Sequence, residues 1–292
     1  MITLLIATRN AHKVGEIRAI LGEKFHYLTL NDVPNAPEVI EDAGTFAGNA
    51  TKKAVVLARW LGEAHGLESN VVTLKPGVQQ GLFELRNGPR AVPARSAQKN
   101  AGLLGKSDRP GAQRAAASRD GSRSGELDVA FGLRGDRLYV LADDSGLEVD
   151  ALGGAPGVHS ARFAALDTGK PGNSTTAENN PKLLRLLKDV PLERRTARFH
   201  CVVALTPVLR STNESASPVC YADELELQTE LFEGLCEGRI GLTPRGRGGF
   251  GYDPLFIPTG YDRTFGELVE GIKNKLSHRA RALALLRPKL RD

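Results

Sequence analysis

An apolar run that ends in two neighbouring carboxylates constrains this chain more than any other feature. Leu138 to Ala142 (LYVLA) is continuous in apolar side chains, the pattern of a strand covered on both faces. Asp143 and Asp144 follow at once, then Ser145 and Gly146. The run is therefore expected to leave the sheet at the acids and turn, which sets them at a crevice. Paired acids there, before a loop with Gly153, Gly154, Pro156 and Gly157, suit Mg²⁺, a hard cation that takes a few carboxylate oxygens and keeps other positions for water and phosphate. A solvated Asp-Asp turn reads the same on the dipeptide alone, so the surroundings must decide.

Before this stretch, Ile2 to Ala7 has strand length and leads through Thr8, Arg9, Asn10, Ala11, His12 and Lys13 into Val14, Ile17, Ile20 and Leu21, spaced as on one helix face. Such a turn exposes backbone N–H groups at a helix N-terminus, and with Asn10 and Lys13 beside them it is an anion site; a plain helix cap with a solvated Lys13 fits the same residues. Phe25 to Leu30 reads as a second strand. Thr45 to Leu61 reads as a helix with Thr45 near its N-cap, and Asn49 and Lys53 share a face of it, whether toward ligand or solvent. From about Glu63 to Gly135 the pattern dissolves into Gly, Ala, Arg, Ser and Pro, the composition of an inserted, disordered loop with room for short strands at Val71 to Leu74 and Leu82 to Leu85. Beyond the acids, a helix is expected at Asn179 to Leu187, a strand at Arg198 to Leu205, an antiparallel return at Leu225 to Ile240, a glycine loop running into a short strand at Gly246 to Ile257, and one final helix at Lys273 to Leu286.

The charge of +5 is unevenly placed. Glu63 to Arg137 holds 12 Lys or Arg against 8 Asp or Glu, so the rest is nearly neutral and a nucleic-acid partner is not expected, the more so because no aromatics interleave with those arginines. Cys201, Cys220 and Cys236 are odd in number and lack CxxC spacing, which argues for a reducing compartment and against zinc. No apolar run approaches membrane length, and the opening MITLLIATRN has no leader pattern, so a cytoplasmic location is expected. Gly105-Lys106-Ser107 imitates the end of a phosphate loop without a preceding strand, and Gly246 to Gly251 spells G-x-G-x-x-G but runs into Tyr252-Asp253-Pro254, which cannot open a long helix.

Together the chain offers an acidic metal corner (Asp143, Asp144 and Glu41), an anion turn (Asn10, Lys13), an aromatic glycine loop (Phe250, Tyr252) and a basic helix start (Lys273, His278, Arg279). These are the parts a nucleoside triphosphate requires, and a metal-polarised water needs no nucleophilic Ser or Cys. In the blocks ATRNAHK, TFAGNATKKA, LADDSGLEVDALGGAPGVHSARFA, RTARFHCVVAL, GRGGFGYDPLF and KNKLSHRARAL, in that order, the sequence resembles the inosine triphosphate pyrophosphatase family. That resemblance implies an α/β fold: an elongated twisted mixed sheet flanked by helices, with two lobes and a central cleft. It further implies one domain over residues 1–292, interrupted at about 63–135 and 207–224, and a homodimer. The activity implied is hydrolysis of deaminated purine nucleoside triphosphates to monophosphate and pyrophosphate.

By the same resemblance Asp144 is the proton acceptor and, with Glu41, a Mg²⁺ ligand. Thr8 to Lys13 and Ser145 hold the triphosphate, Phe250, Gly251, Tyr252, Asp253 and Lys273 contact the nucleotide, and a protonated His278 with Arg279 reads the purine edge. Gly48 and Gly271-Ile272 stand where the family commonly has acidic residues, which favours one Mg²⁺ over two. A catalytically silent nucleotide sensor, or a nucleic-acid binder working through the basic insertion, are the rival readings.

Overall fold

The computed structural model describes residues 2–66, 137–169, 171–209 and 224–290. The expected insertion at 63–135 and loop at 207–224 therefore lie almost wholly outside the described residues, as do the two short strands and the Gly105 to Ser107 decoy.

β1 (Ile2–Ile6) is buried along its whole length and is joined to the parallel β2 (His26–Thr29) through α1 (Ala11–Leu21). Asn10 starts α1: its Oδ1 accepts from the amides of His12 at 2.9 Å and Lys13 at 3.3 Å, satisfying two of the free N–H groups at the helix end. α2 (Phe46–Gly66) opens with Thr45 Oγ1 accepting from Gly48 N. Six strands form one mixed sheet in the order β2-β1-β3-β4-β5-β6, with β3 (Arg137–Val149) parallel to β1 and antiparallel to β4 (Thr196–Pro207). β5 (Glu230–Ile240) and β6 (Phe256–Pro258) complete it.

Here the first expectation is corrected. β3 does not leave the sheet at the acids but continues through them for a total of 13 residues. Its pairing explains why: β1 stops at Ile6 opposite Leu141, whereas β4 stays paired to β3 as far as Val149 opposite Ala197. The backbone of Asp143 and Asp144 keeps a neighbour on one side only, and the other edge opens just where β1 ends. Farther along, the loop 155–160 takes β1's place, with Leu147 N donating to Ser160 Oγ at 2.8 Å and Val149 N to Ala155 O at 3.2 Å. Gly146 is required at this contact, because a Cβ there would strike Gly157 O and Ser160 Oγ.

Two hydrophobic clusters share the central strands. One gathers Leu4, Ile17, Leu141, Val203, Phe232 and Leu283; the other gathers Leu147, Leu183, Phe199, Cys236, Phe256 and Phe265. On β3 the change from one to the other falls between Leu141 and Leu147, so the acids occupy the gap between the two lobes.

Three more boundaries move. α3 (Thr176–Leu186) begins earlier than its apolar spacing indicated, because Thr175 and Glu178 form a capping box, Thr175 N donating to Glu178 Oε2 at 2.7 Å. The return strand starts only at Glu230, after the short α4 (Glu224–Leu227). The last helix is two, α5 (Glu270–Leu276) and α6 (His278–Leu286), divided at Ser277, whose extended backbone and Oγ, accepting from Ala280 N, start the second.

α6 packs on β5 at Gly234, where an added Cβ would meet the backbone at His278 O and Ala282 N. Gly234→Val is expected to destabilise the protein by about 3 kcal/mol or more, read as a lowered melting temperature; an unchanged melting curve would show that this contact yields freely. Cys201 and Cys236 are buried, and burial pushes their thiols up, to about 12 and about 11. Mass mapping after brief maleimide treatment at pH 8 should find both unmodified until denaturant is added, since the thiolate is the reactive form.

Candidate active site

Asp143 and Asp144 are both buried, and their surroundings push them in opposite directions. Burial would raise the Asp143 carboxyl, but the cations of Lys13, Arg279 and Lys53 outweigh it and hold the group well below the usual carboxylate range. Lys13 Nζ lies 3.1 Å and Arg279 Nη2 2.9 Å from Asp143 Oδ2. Asp144 is raised, first by burial and further by Glu41, against the lowering effect of Asn49 and the two lysines. Its oxygens are held: Asn49 Nδ2 donates to Oδ2 at 2.8 Å and Ser145 N to Oδ1 at 2.9 Å. Two adjacent carboxyls are driven apart in this way: one stays charged against its cations and the other takes a proton more readily.

Behind them runs a row of alternating buried charges. Asp253 Oδ2 meets Lys273 Nζ at 2.7 Å, Lys273 meets Glu16 Oε1 at 2.6 Å, Glu16 Oε2 meets Arg279 Nη1, and Arg279 leads to Asp143 and so to Lys13. Asp253 also accepts from Phe250 N at 2.8 Å, in a turn that needs glycine at 249: φ is +73° and a Cβ would run into the Asp253 carboxylate. Lys273 Nζ stands 4.8 Å from the centroid of the Phe250 ring. The break at Ser277 lets Lys273 on α5 and Arg279 on α6 reach Glu16 together.

A pocket of about 440 Å³ is lined by Asn10, Lys13, Asp144, Phe250, Lys273 and Arg279, together with Thr8, Glu41, Ser145, Gly251, Tyr252, Asp253 and His278. Of the other candidates, Arg9 lines a neighbouring cavity, Ala11 is the exposed first residue of α1, and His12 stacks on Phe250 with ring centroids 5.6 Å apart. Tyr252 donates its hydroxyl to Ser160 O at 2.9 Å, tying the glycine loop to the loop against β3.

Two expectations for the base-reading pair change. His278 is buried and stacked on Phe199, centroids 4.9 Å apart; burial first, and then Arg279, hold its imidazole well below the ordinary value, so it is neutral rather than protonated. Arg279 is 1% exposed, and contacts to Asp143, Glu16 and Ser145 occupy four of the five guanidinium N–H groups.

Asn49, Lys53 and Glu16 join the site without having been assigned to it. Lys53 Nζ pairs with Glu41 and donates to Asp143 O at 3.3 Å. The four-residue spacing of Asn49 and Lys53 marked a shared face, but nothing local distinguished that face from a solvated one.

A model of the Ham1 family matches residues 4–119 and 127–289. The chain belongs to the Ham1 family. A dITP/XTP pyrophosphatase of Shouchella clausii is 33% identical over 284 residues, covering 97% of this chain and 94% of that protein. One of Geobacter sulfurreducens is 35% identical over 291 residues, covering 99% and 97%. Among solved structures, a HAM1 protein from Coxiella burnetii superposes with a TM-score of 0.59 at 26% identity, covering 99% of this chain and 98% of that one. A dITP/XTP pyrophosphatase from Mycobacterium abscessus gives 0.51 at 29%, covering 98% and 100%. This Ham1 chain shares with them the open mixed sheet flanked by helices. No helix among the described residues is long and apolar enough to cross a membrane.

Proposed function

We propose that this Ham1-family chain hydrolyses the deaminated purine nucleoside triphosphates ITP, dITP and XTP to nucleoside monophosphate and pyrophosphate. The names of its full-length relatives support this substrate class. The observation that carries the reading is one pocket that presents Asp144, Lys13, Lys53 and Phe250, with Asp143 buried beside it and tied to Lys13 and Arg279.

Asp144 is the group suited to accept the proton of the attacking water: its carboxyl is raised toward working pH, and Asn49 and Ser145 N fix its orientation. Lys13, held by Asp143, and Lys53 stand where they neutralise phosphate charge. Phe250, with His12 stacked on it and Lys273 beside it, gives the pocket an aromatic wall for the purine. A neutral His278 still carries one N–H, and a keto oxygen at position 6 accepts it where the adenine amino group cannot.

The donor set suits Mg²⁺. Among the described residues no three His, Cys, Asp or Glu gather into a cage, while Asp144 and the adjacent Glu41 offer only carboxylate oxygens, as a hard cation shared with phosphate and water requires. Asp144 and Glu41 would hold the ion, which when bound supplies a Lewis acid to polarise a phosphoryl oxygen. The homodimer implied by the resemblance belongs to the same proposal and is measured by light scattering.

A panel of ITP, dITP, XTP, ATP and GTP with Mg²⁺, assayed for pyrophosphate, tests the reading. Release from the deaminated set well above that from ATP and GTP is expected; binding of ITP without release would leave only a nucleotide sensor.

A further inference from the structure

A second cavity, of about 330 Å³, adjoins the pocket just described and shares with it Thr8, Asn10, Glu41, Lys53 and Asn173. Phe250, Asp144 and Lys13 line the first pocket alone, whereas Thr8, Asn10 and Lys53, groups suited to phosphate oxygens, line both. That cavity is large enough for a small ligand group. Its remaining lining is Arg9, which makes no ion pair or hydrogen bond among the described residues, the carboxylate Glu38, and an apolar wall of Ala7, Leu30, Pro37, Val39 and Leu57. Charge decides what fits. Of the two cations in its lining Lys53 is already paired to Glu41, so Arg9 is left for one phosphate charge and a second would face Glu38 and Glu41, whereas an apolar group finds a wall.

We infer that the second cavity receives a substituent on the terminal phosphate, so that this chain also cleaves deaminated purine nucleoside triphosphates esterified at the γ-phosphate. The inference rests on the proposed pyrophosphohydrolase reading. In the step the water oxygen bonds to the α-phosphorus, its proton passes to Asp144, and the α–β anhydride bond breaks with its electron pair leaving on the esterified pyrophosphate. Arg9 meets the single charge left on the γ-phosphate, and the ester group lies against Leu30 and Val39.

The probe is the γ-phenyl ester of ITP, with products resolved by phosphorus NMR. IMP and phenyl pyrophosphate are expected, at a kcat/KM within about ten-fold of that for ITP. Val39, which lines the second cavity and not the first, is replaced by Phe and by Trp to fill it. Each variant should lose at least ten-fold more activity on the ester than on ITP, and its ITP rate reports that it has folded. Uncleaved ester in the presence of normal ITP turnover overturns the inference and leaves the proposed function standing. So does an equal effect of Val39→Phe on both substrates. Failure of the wild-type protein to cleave ITP itself removes both.

Discussion

Asp144→Asn should lower kcat on ITP by about 10³-fold, the scale of a lost general base, and leave the melting temperature almost unmoved. Stability is spared because burial already works against the charge of Asp144, so a neutral amide of the same shape is no harder to enclose. The amide keeps one acceptor oxygen for the two donors Asn49 Nδ2 and Ser145 N, so one of them loses its partner, a cost that relief of the buried charge offsets. Steady-state kinetics beside a thermal melt checks both halves. Turnover near the wild-type rate would remove Asp144 from the chemistry, and a collapsed melt would make it a structural residue.

Arg279→Ala should have the opposite profile, a severe loss of stability accompanied by loss of activity. Its guanidinium lies between the Asp143 and Glu16 carboxylates, all three nearly inaccessible to water. Removing one partner of a buried pair leaves uncompensated charge and costs about 3–5 kcal/mol. Urea unfolding would show a midpoint shifted well to lower concentration. Arg279→Lys restores charge but not the two-carboxylate fork, so it should recover part of the stability and little of the ITP turnover. Full recovery of both by lysine would mean that charge alone matters here.

Much of this architecture could be read before any coordinates. Apolar runs of strand length placed β1, β2, β4 and the start of β3, and helical spacing placed α1 and α2. The extent of β3 could not be read in that way, because polar residues end an apolar run whether or not the strand ends with them. Asp143 is tolerated inside the sheet by Lys13 and Arg279, one 130 positions before it and the other 136 after it. Ser277 carried a readable signal, a good N-cap residue inside an apparently continuous helix, that the surrounding periodicity masked. Glu16 gave none: on α1 it looks like part of a solvated face, and only Lys273 and Arg279 arriving from the far end of the chain make it a buried bridge.

The row from Asp253 to Lys13 also limits how this sequence can drift. Each member leans on an opposite neighbour, so a lone replacement strands a charge in a dry interior, while two coordinated replacements remove donor and acceptor together. Glu16→Gln with Lys273→Met should therefore be better tolerated than the sum of its single changes predicts. Neighbouring positions in this row alter at less cost in couples than alone, though Asp253 still loses its cation when Lys273 goes.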